Sequence, residues 1–145
     1  MIDKVKRWAI LLFTSVVLAA GLTVAVAPAS HATTYQTVRY YGSSQVTTTI
    51  QYRRTGSGFW TDMIAICAGG SGYNLPKLYN VRMRVSDFTP AGYTYDSGYM
   101  STNQCIVRYP NRHNYGRGTV SVDYSVNRYL HTDSHARVSI TLYPL

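Results

Sequence analysis

From Thr33 onward, apolar and polar side chains alternate almost residue by residue. Gln36, Val38 and Tyr40 alternate with Thr37, Arg39 and Tyr41, and Val46, Thr48, Ile50 and Tyr52 alternate with Thr47, Thr49, Gln51 and Arg53. A period of two marks strands with one face buried. Gly42-Ser43-Ser44 supplies the short connection of a hairpin, with Tyr40 and Tyr52 expected inward and Arg39 and Arg53 outward. From Phe59 to Cys67 the chain becomes apolar at both parities, which predicts a strand at the sheet centre with cover on either side.

Alternation returns in Val81, Met83 and Val85 against Arg82 and Arg84. It continues in Val120, Val122, Tyr124 and Val126 against Ser121, Asp123 and Ser125, and in Val138, Ile140 and Leu142 against Arg137, Ser139 and Thr141. Ile106 to Tyr109 reads as a further short strand, and Tyr93 to Tyr95 as another inside a polar stretch broken by Pro90, Gly92 and Gly98. Ala68 to Pro76 and Pro110 to Gly118 carry turn residues and read as loops, and Leu130 to His135 as a compact hairpin turn. No segment after residue 32 has an apolar stripe at helical spacing. The pattern predicts an all-β domain, a small antiparallel β-sandwich of about seven or eight strands, with a small closed β-barrel as second choice.

The first 32 residues follow a different rule. Lys4, Lys6 and Arg7 precede an apolar run from Trp8 to Val26, then Pro28 and the small residues Ala29-Ser30-His31-Ala32. That order is the layout of a secretory signal peptide, so residues 33–145 are expected as a single exported domain with no stable membrane insertion after cleavage. Export fits the two cysteines, Cys67 and Cys105. They lack the CxxC spacing of redox and zinc sites and are expected to form one structural disulfide joining two strands of the core.

Charge and aromatic content narrow the chemistry. The chain carries a formal net charge of +8, and Lys77 is the single lysine after the leader, so the excess is arginine. Glutamate is absent, which removes one class of general acid. Arginine forks grip phosphate and carboxylate groups. Arg39, Arg53, Arg82, Arg84 and Arg137 are expected on outward positions of different strands, gathered into one basic face. Fourteen tyrosines stand beside serine, glycine and asparagine, a palette suited to binding surfaces because tyrosine gives rigid contact area plus a hydroxyl.

The candidate binding residues are Arg53, Arg54, Trp60, Arg82, Arg84, Tyr93, Tyr95, Arg112 and Tyr115. Trp60 serves either as the first core residue of the central strand or as a stacking platform for a sugar or a base; alternation does not decide. His131 and His135 around Asp133 form a minimal pair for a metal or a proton relay, but no motif supports it, and solvated turn histidines are the simpler reading. No catalytic residue, metal or cofactor is assigned.

The expected function is a secreted, non-catalytic binding protein for an anionic or glycan ligand such as a cell-wall polymer; nucleic acid is a possible ligand without specific support. The alternative is a secreted effector that inserts a disulfide-constrained loop, Gly69 to Pro76 or Thr89 to Met100, into a secreted or cell-surface protein. A small hydrolase pairing His113 with His131 or His135 beside arginines is third.

Overall fold

The computed structural model describes residues 31–70, 76–88, 92–128 and 131–145; for Arg128 and residues 131–134 only the backbone is described. Ten strands follow in chain order: β1 Thr33–Tyr41, β2 Ser44–Thr55, β3 Gly58–Gly70, β4 Lys77–Asp87, β5 Tyr93–Asp96, β6 Met100–Thr102, β7 Cys105–Arg108, β8 Arg112–Tyr115, β9 Gly118–Arg128 and β10 His131–Leu142. They form two antiparallel sheets. One runs β1-β2-β3-β7 with β8 also on β3, and the other runs β10-β9-β4-β5 with β6 also on β4. Their inner faces share one apolar core, so the architecture is a sandwich and not a closed barrel.

The core follows the alternation. Val46 and Ile50 on β2 and Phe59, Ile64 and Ile66 on β3 meet Val81, Met83 and Val85 on β4 and Val120, Val122, Tyr124 and Val126 on β9. Burying each of these side chains contributes roughly 1.5–3 kcal/mol. Among the described residues, the buried core lies between Val46 and Leu142.

β3 is the centre of its sheet, pairing with β2 on one side and with β7 and β8 on the other. Only its inner face is covered by the opposing sheet. Met63 and Cys67 lie half-buried on the other face, where the expected second layer of cover is absent among the described residues. Gly58 at the start of β3 is a site of close backbone approach: a Cβ there would collide with the Asn114 carbonyl of β8. The stretch Pro110–Gly118 expected as loop thus contains a short strand, drawn in by this contact.

The first hairpin corrects one expectation. Gly42 has φ 66° and Gly42-Ser43 form a two-residue turn, with Tyr41 paired to Ser44. This register sets Tyr35 beside Ile50, Thr37 beside Thr48 and Arg39 beside Val46. The odd residues of β1 therefore share the inward face of β2, and Tyr40, expected inward, is 74% exposed. A two-residue turn ties parity on one strand to parity on the next, and β1 lies at the margin, where burial no longer enforces its own pattern. Tyr52 packs partly buried against the core and Tyr124 is fully buried.

Cys67 and Cys105 form the disulfide, as cross-strand partners on β3 and β7 with Cα atoms 4.1 Å apart. The bond staples neighbouring strands of one sheet on its outer side. Residues 1–30, 71–75, 89–91 and 129–130, on which most of the expected leader and parts of the expected loops and hairpin turn fall, lie outside the described residues.

Candidate functional site

The two outer faces of a sandwich point in opposite directions, and this divides the arginines. Arg82 and Arg84 stand on the outer face of β4, and Arg137 on that of β10, across β9. Arg53 stands on the outer face of the other sheet. Arg39, expected outward, faces inward at the margin and donates through Nη2 to the Arg137 carbonyl at 3.1 Å. The expected single basic face is therefore split, because adjacency depends on strand order and not on alternation.

On the β4-β9-β10 side the outward residues enclose a shallow basin of about 400 Å³, lined by Asn80, Arg82, Arg84, Tyr99, Asp123, Ser125 and His135. Asp123 is its anchor. Only 8% exposed, it accepts from Arg84 Nη2 at 2.9 Å and from Arg137 Nε at 2.7 Å, and His135 Nε2 lies 4.0 Å away. Burial works to raise its pKa, but the hydrogen bonds from Arg137 and Arg84 outweigh it and the net shift is downward.

Arg82 is held differently. It forks onto Asp96 of β5 through Nε and Nη2. That hydrogen bonding, with the Gly98 N–H opposing the effect of burial, holds the Asp96 carboxyl down to about 2. The same fork raises the Arg82 guanidinium above its ordinary value.

Each β4 arginine also lies over a tyrosine ring. Arg82 is 4.9 Å from the Tyr99 ring centre and donates to its hydroxyl at 3.2 Å. Arg84 is 4.5 Å from that of Tyr93 and donates to its hydroxyl at 2.8 Å. Carboxylate on one side and phenol on the other fix both guanidiniums before any ligand arrives.

The opposite face carries an aromatic row. Trp60 on β3 pairs with His113 on β8, their ring centres 5.2 Å apart, and Tyr115 meets His113 edge-on at 4.5 Å. Arg53 lies 5.6 Å over the Trp60 ring while forking onto Asp62. Trp60 is thus an outward, half-buried residue, and the buried position belongs to its neighbour Phe59. With Arg53 and His113 against it, the indole is already engaged.

The remaining candidates scatter. Arg54 clamps the C-terminal tail, donating to the carbonyls of Tyr143 at 2.7 Å and Pro144 at 2.6 Å. Tyr95 packs against the core, and its phenol is raised by burial. Arg112 is exposed on β8, opposite Thr61. Of the His131–Asp133–His135 set, only the His135 side chain is described, and it belongs to the basin. The basin brings together Arg82 and Arg84, with Tyr93 and Asp96 beside it, and adds Asn80, Tyr99, Asp123, Ser125 and His135, which were not singled out as binding residues. The alternating Asp123 and Ser125 opposite the arginine-bearing strands are the signal that could have found two of them. No family model, curated protein or solved structure matches the chain.

Proposed function

We propose that the protein is a secreted, non-catalytic binding module that holds an acidic glycan, such as a cell-surface polymer, in the basin on the outer face of β4, β9 and β10. The observation that carries this reading is the pair Arg82 and Arg84, each fixed by a carboxylate and laid on a tyrosine ring at the basin wall. Fixed donors lose little entropy on binding. The remaining guanidinium N–H groups suit carboxylate or phosphate substituents, while Asp123, Ser125 and the tyrosine hydroxyls offer acceptors for sugar hydroxyls. A surface for a bare phosphate backbone would gain nothing from Asp96 and Asp123 among its arginines, so a hydroxyl-rich ligand fits better than nucleic acid. The disulfide agrees with an oxidising, extracellular setting.

The test is co-sedimentation of residues 31–145 with isolated bacterial cell walls at low and high salt. Binding that weakens as salt rises and is lost in Arg82→Ala/Arg84→Ala, but persists in Arg53→Ala on the opposite face, is the expected result. Retention of binding in the double variant, or no binding at either salt, would overturn the proposal.

A further inference from the structure

The two sides of the sandwich end in unlike ways. On one side the edges are broken: β7 and β8 on one sheet are four residues each, parted by Pro110 and by Asn111 at φ 46°, and β5 and β6 on the other are parted around Gly98 at φ 70°. Short, interrupted strands are how folds keep an edge from pairing with another chain. On the other side β10 carries a register shift between His131 and Ser134, but the β1 edge has no such protection. β1 runs nine residues in unbroken register with β2, holds no proline, lysine or acidic residue, and has no strand beyond it among the described residues. Its one charge, Arg39, is turned toward its own β10.

The hairpin geometry says which groups face outward. Tyr41 and Ser44 close a two-residue turn and so form a hydrogen-bonded pair, which directs the backbone groups of the odd residues of β1 to β2. The N–H and C=O groups of Thr34, Gln36, Val38 and Tyr40 therefore point away from the sheet. An antiparallel second copy of β1, centred on Thr37, would pair Thr34 with Tyr40 and Gln36 with Val38, matching every outward donor with an acceptor. In that register Arg39 falls opposite Tyr35 of the second copy and not opposite another arginine, so no like charges meet across the seam.

We infer that β1 is a self-association edge, on which two copies of this chain join their β1 strands antiparallel about Thr37 into a continuous sheet. The inference is independent of the glycan reading, since no residue of β1 lines the basin.

Sedimentation equilibrium of residues 31–145, from low concentration to about 100 µM, where weak interfaces become populated, tests it. Two variants accompany the parent. Val38→Pro removes one outward N–H without touching the β1–β2 bonds, and Val38→Lys places a charge on a side chain already 42% exposed. Circular dichroism confirms that each keeps its strands. The expected result is a concentration-dependent dimer for the parent and at least a tenfold weaker association for both variants. A parent that stays monomeric throughout, or a dimer that neither folded variant weakens, would overturn the inference.

Discussion

The two outer faces use related devices, an arginine hydrogen-bonded to an aspartate and laid on an aromatic ring, in different surroundings. On the β4-β9-β10 face, the Asp123 and Arg84 side chains are 11% and 13% exposed. On the β2-β3-β8 face, Asp62 and Arg53 are 22% and 39% exposed. Burial makes the first an organised centre that three basic side chains approach, and leaves the second a surface pair over Trp60. Hydrogen-bond length therefore does not set worth on its own: a carboxylate removed from water leaves its partners stranded when it is deleted, whereas water replaces an exposed one.

The largest effect expected anywhere on these faces comes from the disulfide on the sheet that carries the weaker pair. Cys67→Ser with Cys105→Ser opens a link of sequence separation 38, and in the chain-entropy account should cost about 4 kcal/mol in denaturant unfolding. Because the bond lies outside β3 and β7, far from β9 and β10 in strand order, the folded variant should still sediment with cell walls. Loss of that binding in a protein that is still folded would show that the faces are coupled.

Next comes Asp123→Ala, with a cost of about 3 kcal/mol, as for breaking a buried pair. Arg84 is its main casualty, since its Nε is already buried without a partner. Wall binding should fall with stability, because both Arg84 and Arg137 lose their anchor.

Acid offers a graded version of the same cut. The Asp96 carboxyl is held down to about 2 and Asp123 is also shifted downward. Carboxyls with lowered folded-state pKa values bind more protons unfolded than folded, so their stabilisation is complete above the ordinary carboxylate range and disappears as pH falls through the folded values. The melting temperature should decline between about pH 4 and pH 2, and the decline should be shallower in Asp96→Asn, measured by calorimetry across that range.

What the alternation reveals is the interior. Parity placed Val81, Met83 and Val85 inside and Arg82 and Arg84 outside, and the apolar run Phe59–Cys67 marked the central strand, because burial acts on every second residue in turn. Parity fails at β1, where Tyr40 stands in solvent: a margin strand has little core to answer to, and the Gly42-Ser43 turn sets its face. The basin is less legible still. Asp96 meets Arg82, and Asp123 meets Arg84, only because β4 lies between β9 and β5, and strand order is a property of the whole chain; Asp123 and Arg137 are partners across the β9–β10 hairpin. Trp60 shows the same limit locally, since in a run apolar at both parities only the pairing with β8 reveals that Phe59 points in and Trp60 out.

The smallest effect is the sharpest check on the comparison. Asp62→Ala removes a carboxylate that accepts two short hydrogen bonds from Arg53, 2.8 Å to Nε and 2.7 Å to Nη2, so on distances alone it should match Asp123→Ala. On exposure it should not. The freed guanidinium stays on the Trp60 ring and exchanges the carboxylate for water, so the cost should be under about 1 kcal/mol and smaller still at high salt. Urea unfolding of the two alanine variants, side by side at two salt concentrations, decides between the views. A cost for Asp62→Ala equal to that for Asp123→Ala, and insensitive to salt, would mean that the fork itself and not its burial sets the strength of these pairs, and the basin would then have no special claim to rigidity over the face behind it.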